Sequence, residues 1–214
     1  MKPPAATVNM SAEIRLPIVE IFASCQGEGY NTGMPAVFVR LGRCNLACPW
    51  CDTDYHRYRW QSLAEVLATV AGYGCRNVII TGGEPTLHPQ LEALLQALKE
   101  RGHFLALETN GLRPVSPLFD YVATSPKRFY ARQYTAQALR RADEVRVVVD
   151  GEMGEFCAQL ERLIVAPRYY LSPCEIDGQM NLRFTLEQLG ALNGRPGSQH
   201  WQLSLQTHKL AGIP

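Results

Sequence analysis

AVFVRLGRCNLACPWC, residues 36–51, runs from a strand-like segment straight into a loop that carries three cysteines. The first part, AVFVRLG, is rich in side chains that fit a pleated sheet, with Val37, Phe38 and Val39 in succession. Cys44, Cys48 and Cys51 then stand at relative positions 0, 4 and 7, without a fourth cysteine close by. Soft thiolates so spaced suit zinc or an iron-sulfur centre. Structural zinc requires a fourth ligand, which folding would have to recruit from His56, Cys25 or Cys75. Three thiolates on a four-iron cubane instead leave one iron open, able to chelate a small molecule and to pass it an electron. Spacing alone leaves both readings open.

The same alternation of short apolar run and polar turn continues along the chain. After PIVEIFA (17–23) and the opening stretch, the strand candidates are NVIITGGEP (77–85), FLALETNG (104–111), YVATSPK (121–127), EVRVVVD ending at Asp150, RYYLSP (168–173) and WQLSLQTH (201–208). Between them lie helical periods. Ser62 and Glu65 form a capping box ahead of Leu63, Val66, Leu67 and Val70, which predicts a helix over 62–72. Leu91, Leu94, Leu95 and Leu98 predict the next, and further helical patterns fall near 133–142, 154–165 and 186–193. Alternating βα units predict an α/β fold with a parallel sheet. The loops at the carboxyl ends of such strands converge on one face, so the polar turns should ring one cavity. With 214 residues the chain is short for a closed eight-unit barrel of ~250 residues, and a partial, TIM-like (βα)6 barrel fits better. One domain over 1–214 is expected, with 1–15 flexible.

Composition narrows the function. Lys plus Arg (21) against Asp plus Glu (20) leaves a formal charge of +1, which provides no field to gather phosphate backbones or anionic lipid. No apolar run approaches a membrane span, and MKPPAATVNMSAEIR lacks the apolar core of a secretory signal. The expectation is a cytoplasmic protein with neither nucleic acid nor membrane as partner. Seven cysteines, an odd number, form no disulfide framework, and a tight cluster in a reducing compartment indicates metal or redox chemistry.

Cys44-x3-Cys48-x2-Cys51, with Trp50 before the third cysteine and Gly82-Gly83-Glu84-Pro85 one βα unit downstream, resembles the radical S-adenosylmethionine superfamily. SCQGEGYNTGMPAVFVRLGRCN (24–45), CDT (51–53), TGGEP, ETNG, SPK and LSLQTHKLAGIP (203–214) are more narrowly similar to the 7-carboxy-7-deazaguanine synthase family, over nearly the whole chain. That resemblance implies a [4Fe-4S] cluster on Cys44, Cys48 and Cys51, bound S-adenosylmethionine, and Mg2+ contacted by Thr53. It further implies conversion of 6-carboxy-5,6,7,8-tetrahydropterin to 7-carboxy-7-deazaguanine with loss of ammonia, by way of a radical generated from the cofactor rather than a protein acid or base. Trp50, Cys51, Asp52, Gly83, Ser125, Pro126, Lys127, Ser172, Pro173, Cys174 and Glu175 match cofactor-lining positions, and the GGEP glycines would let backbone approach the cofactor. Cys25, Gln26, Gly27, Arg40, Thr81 and Pro214 match substrate positions. The Gln26 amide can both donate and accept at a pterin edge, and the planar fork of Arg40 suits a carboxylate. A flavodoxin- or ferredoxin-type electron donor and a homodimer are also implied. Two alternatives share some of these features: a radical enzyme that activates a protein glycine, and a zinc-stabilised binding module without catalysis.

Overall fold

The computed structural model describes residues 14–214 apart from 138 and 177. The chain opens with an antiparallel pair, β1 (Arg15–Cys25) and β2 (Pro35–Leu41), in which Glu20 lies opposite Arg40. β3 (Arg59–Ser62) returns along the outer edge of β1, and Ser62 then caps α1 (Leu63–Gly72). The capping box forms as the sequence predicts: Ser62 Oγ accepts from Glu65 N, and the Glu65 carboxylate accepts from Ser62 N. Leu63, Val66, Leu67 and Val70 are the buried face of this helix. Each such side chain contributes roughly 1.5–3 kcal/mol when fully buried.

From β2 the sheet continues through parallel strands: β4 (Asn77–Gly82), β5 (Phe104–Thr109), β6 (Tyr121–Thr124), β7 (Glu144–Val149), β8 (Tyr169–Pro173) and, after the small β9–β10 hairpin (Glu175–Ile176 with Gln179–Met180), β11 (Trp201–Leu203). The order across the sheet is β11-β8-β7-β6-β5-β4-β2-β1-β3, open at both edges as a partial barrel requires. Helices α2 (Leu91–Glu100), α3 (Ala131–Gln137), α4 (Gly154–Leu163) and α5 (Leu182–Asn193) join the strands. Val78 and Ile80 of β4 belong to one core cluster with the leucines of α1 and α2, while Val145, Val147 and Val149 of β7 pack with Phe156, Cys157 and Leu160 of α4 in another.

The other face of the strands carries the site. Its lower layer is apolar, with Ala36, Ile79 and Ala106 in contact. Phe38 is level with Ile79 and packs against this layer, and strand alternation places Arg40, Thr81 and Glu108 one step above Phe38, Ile79 and Ala106, toward the carboxyl ends. That change from apolar to polar marks the floor of a cavity.

Four sequence expectations are corrected. Ile14 and Arg15 are part of the fold, since Ile14 O accepts from Leu63 N and Arg15 begins β1; residues 1–13 of the segment expected to be flexible lie outside the described residues. β1 runs antiparallel, so the barrel opens with a hairpin rather than a βα unit. Residues 110–120, which contain Pro114 and Pro117, join β5 to β6 without a helix. The 201–208 stretch is strand only to Leu203: Ser204 Oγ accepts from Gly29 N and Thr207 N donates to Gly27 O, which turns the chain into the short helix α6 (Thr207–Ala211).

Candidate active site

The cysteine loop leaves β2 through Gly42 and Arg43, whose φ of 65° is the only positive value at a non-glycine among the described residues. Its path is fixed by the TGGEP turn beside it. Gly83 N donates to Leu41 O and Glu84 N to Arg43 O, both at 2.9 Å. A Cβ on Gly82 would collide with the Leu41 carbonyl, and one on Gly83 with that of Arg43. The glycine pair therefore serves the close approach of two backbones. Both glycines line the cavity as well.

Glu84 ties the same turn to the next loop. Fully buried, its carboxylate accepts from Thr86 N, Thr86 Oγ1, Thr109 Oγ1 and Asn110 N. Asn110 Nδ2 donates to Asn45 Oδ1 in the cysteine loop, and Asn110 O accepts from Tyr134 Oη, which itself accepts from Lys127 N. One chain of hydrogen bonds, buried at Glu84, Thr109 and Asn110, thus holds TGGEP, ETNG, SPK and the cysteine loop in register. Satisfied networks of this kind rigidify a site.

Cys44, Cys48 and Cys51 line a single cavity of about 920 Å3. Burial pushes the thiols of Cys44 and Cys48 up, while the Lys127 ammonium opposes it. Lys127 is itself lowered by burial; it donates to Ser125 Oγ at 2.7 Å and stands 5.0 Å from the Trp50 ring centroid. Among the described residues, no three His, Cys, Asp or Glu side chains are gathered as a ligand set for one metal ion. A single tetrahedral zinc would draw its sulfurs to within about 4 Å of one another. Nor is Cys75 placed to join them, because its thiol bonds Pro35 O at the opposite end of β2. A polynuclear cluster, in which each thiolate takes its own iron, suits three separated thiols on one loop.

The floor of the cavity is charged. Arg146, 4% exposed at its side chain, lies 3.0 Å from Glu28, in contact with Glu108, and 3.2 Å from Glu144. Its Nε lacks a hydrogen bond, so the Glu144 contact is an ion pair without hydrogen-bond geometry. Burial raises the Glu108 carboxyl and Arg146 opposes the shift. Gln26 is already engaged: its Nε2 donates to Glu108 at 2.8 Å and its Oε1 accepts from Glu28 N. The QGEG turn is closely packed as well. A Cβ on Gly29 (φ 66°) would strike the Glu144 carboxylate, and one on Gly27 the His208 ring.

At the mouth, Arg40 Nε donates to Glu20 at 2.7 Å and Nη1 to Thr53 Oγ1 at 3.2 Å. Lys209 of α6 bridges Asp52 (3.0 Å) and Glu175 (3.3 Å). Burial alone would raise the Asp52 carboxyl, but Lys209 brings it below the ordinary range. Ser24 Oγ donates to Pro214 O at 2.5 Å, which fastens the tail to the end of β1.

All the site residues named from sequence line this cavity except Pro126 and Ser172. Ser172 pairs with Val148 across β7–β8, yet its hydroxyl is buried without a partner, so it does not reach the cavity wall. Pro126 is buried between Ser125 and Lys127 and contributes no wall surface. Unforeseen were Arg146, Glu28, Glu20, Ser24, His208 and Lys209, while Asp150, expected on the rim, is not part of the cavity wall. A lone Arg inside the apolar run EVRVVV was the available signal for the first, since a buried charge requires partners.

Three thiols on one loop, lining a cavity at the carboxyl ends of parallel strands, fit a radical S-adenosylmethionine protein, and the Radical SAM superfamily model matches residues 39–131. The chain is 60% identical to 7-carboxy-7-deazaguanine synthase of Neisseria meningitidis and 56% identical to that of Haemophilus influenzae, each alignment covering 92% of this chain and 93% of the relative. Among solved structures, QueE from Escherichia coli superposes with a TM-score of 0.68 at 27% identity, covering 94% of this chain and 99% of that one. The chain belongs to the 7-carboxy-7-deazaguanine synthase family.

Proposed function

We propose that this chain converts 6-carboxy-5,6,7,8-tetrahydropterin to 7-carboxy-7-deazaguanine with loss of ammonia, as a radical S-adenosylmethionine enzyme of 7-deazapurine biosynthesis. The observation that carries the reading is the cavity itself. Three loop thiols line a space of about 920 Å3, large enough for two small-molecule guests, and among the described residues no ligand set for a single metal ion is gathered around them. The relatives at 60% and 56% identity favour it over a glycine-activating enzyme or a zinc module.

Cys44, Cys48 and Cys51 would hold a [4Fe-4S] cluster. When bound, the cluster and S-adenosylmethionine together supply a radical that removes a hydrogen from the pterin. The chain's own residues bind and orient. Trp50, Gly83, Ser125, Lys127, Pro173, Cys174 and Glu175 form the wall beside the thiols and would take the cofactor. Lys127 is a buried cation facing the thiol side, where negative charge accumulates on loading. On the far side, Glu108, held by Arg146 and Gln26, presents a fixed acceptor to the donor edge of a pterin. Arg40 already spans Glu20 and Thr53, so a substrate carboxylate can exchange for Glu20 without moving the guanidinium far. Thr53 and Asp52 offer oxygens to a hard cation, and Mg2+ there would bring the carboxylate and Arg40 together. Pro214 closes the substrate end, close to Cys25, Gln26 and Gly27.

All seven cysteines are free thiols, which supports a cytoplasmic location. Among the described residues no helix is long and apolar enough to cross a membrane. A homodimer and an external one-electron donor complete the reading. The test is turnover: anaerobically reconstituted, reduced protein incubated with the tetrahydropterin and S-adenosylmethionine is expected to form the deazapurine. S-adenosylmethionine cleavage without deazapurine would remove the pterin from the proposal.

A further inference from the structure

The loop between Cys44 and Cys48 is gripped at a single peptide group, the one joining Leu46 to Ala47. Its carbonyl, Leu46 O, accepts from Tyr55 Oη at 3.0 Å in a buried contact, and its N–H, on Ala47, donates to Tyr130 Oη at 2.9 Å. The C=O and N–H of a planar trans peptide point in opposite directions, so hydroxyls on its two sides fix the orientation of the whole plane. The tyrosines reach it from different parts of the fold. Tyr55 follows the cysteine loop and is buried, and its own carbonyl accepts from Arg43 N at 2.9 Å, which pins the start of the same loop. Tyr130 immediately precedes α3 and packs, with Cys44 and Cys48, against the core cluster that contains Leu46. Although Tyr55 also lines the cavity, its hydroxyl is engaged by Leu46 O.

This grip holds a hydrogen bond to sulfur in place. Leu46 N donates to Cys44 Sγ at 3.4 Å, the one backbone N–H among the described residues that reaches any of the three loop sulfurs. The contacts of Cys44 with Asn45 Oδ1 and of Cys51 with Thr53 O have sulfur as the donor, so they end when the thiols give up their protons. The Leu46 N–H remains. With the Leu46 side chain in the core and the peptide after it held at both ends, the direction of that N–H is fixed.

We propose that Tyr55 and Tyr130 are positioning residues for the cluster: by clamping the 46–47 peptide they keep the Leu46 N–H aimed at Cys44 Sγ, and so make the cluster easier to reduce. The proposal rests on the cluster reading of the three thiols. Reduction brings in one electron and makes or breaks no bond, so the change at the sulfurs is added negative charge. An N–H directed at a ligand sulfur stabilises that charge and raises the reduction potential. Burial ranks the two tyrosines. The Tyr55 contact is sheltered from water, which leaves Leu46 O without a substitute partner, whereas Ala47 is exposed and its N–H can turn to solvent. Tyr55 therefore has the larger effect.

The experiment is redox potentiometry of the cluster-loaded enzyme without S-adenosylmethionine, with dithionite as the electron source and electron paramagnetic resonance counting the reduced cluster. Tyr55→Phe keeps the ring and should still hold about four irons per chain. At the poise that half-reduces the parent, its ratio of reduced to oxidised cluster should fall roughly threefold, which is about 30 mV at 59 mV per tenfold for one electron. Tyr130→Phe should move the ratio the same way by less. Tyr73→Phe is the control: it removes a comparable hydroxyl bond, 3.1 Å to Ile21 O, away from the loop, and should leave the curve where the parent's lies. An unshifted curve in Tyr55→Phe with its irons retained, a shift toward easier reduction, or an equal shift in Tyr73→Phe overturns the clamp. Should Tyr55→Phe fail to keep its cluster, a Tyr130→Phe curve that coincides with the parent's overturns it as well. A parent that takes up no iron overturns the cluster reading itself, whereas a normal parent cluster with insensitive variants overturns the clamp alone.

Discussion

Replacing Arg146 by Met removes the cation that three carboxylates share at the cavity floor. Glu28, Glu108 and Glu144 would remain, with Glu144 2% exposed and Glu108 enclosed at the base of the site. Breaking a buried ion pair from one side costs about 3–5 kcal/mol, because the surviving charge is left without compensation. For a chain of this length each kcal/mol moves the melting temperature by about 2–4 °C, so a drop of roughly 6–20 °C is expected. The pH dependence supplies the sign. Without Arg146 the Glu108 carboxyl, already raised by burial, should titrate still higher in the folded state than in the unfolded chain, where Glu is near 4.3. A carboxyl raised in the folded state binds more protons folded than unfolded, so its penalty is absent at low pH and grows as pH rises through the raised value. The difference from the parent should therefore be larger at pH 8 than at pH 5.5, with Glu144→Gln in the same chain recovering part of it. Thermal unfolding of the cluster-free protein, followed by circular dichroism at both pH values, makes the measurement. A variant that melts within about 2 °C of the parent at pH 8, or whose deficit is greater at pH 5.5, would refute the assignment of Arg146 as the compensating charge.

Cys48→Ala should purify colourless, against about four irons per chain in the parent after anaerobic reconstitution, with far-ultraviolet dichroism unchanged; a variant that retains the iron dissociates this thiol from the cluster. Ser62→Ala removes half of the capping box and is expected to cost about 1 kcal/mol, read as a lower urea midpoint at constant slope. Gly29→Ala forces a side chain both into a left-handed backbone and against the Glu144 carboxylate, and should destabilise by about 2 kcal/mol or more; a neutral outcome in the same titration would show that the turn relaxes freely. Deleting Pro214 should raise KM for the pterin while the affinity for S-adenosylmethionine holds, and unchanged kinetics would leave the tail without a role in substrate binding.

Local pattern revealed most of the secondary structure. The capping box, the leucine stripes of α1 and α2 and the apolar runs of β4, β5 and β7 each announce themselves within ten residues, because burial imposes a period that the side chains must obey. Strand direction was not legible in the same way. PIVEIFA and AVFVRLG look alike as runs, and what makes β1 antiparallel is the short QGEG-to-Met34 turn, where Gly33 N donates to Gln26 O and Gln26 N to Met34 O. Nor could periodicity place the end of β11, since residues 204–207 leave the sheet to bond the loop at 27–29, a pairing with a sequence separation of about 180.

The site shows the same division between what is written locally and what is assembled at long range. Its thiols, its glycine turns and its SPK segment were visible as motifs, but the charges between them were not. Glu144 and Arg146 share one face of β7, but Glu108 comes from β5 and Glu28 from the turn after β1, and no spacing connects these two to them. A motif such as TGGEP also hides its own division of labour. Its two glycines admit the cysteine-loop backbone, and its glutamate points away from any guest to hold Thr86, Thr109 and Asn110. These residues act on ligands through the loops they position. If Glu84 served the cofactor directly, Glu84→Gln would weaken S-adenosylmethionine binding while leaving the apoprotein's stability intact. The four hydrogen bonds it accepts demand the reverse order: the apoprotein must lose stability first, and cofactor affinity only as the cysteine loop loosens.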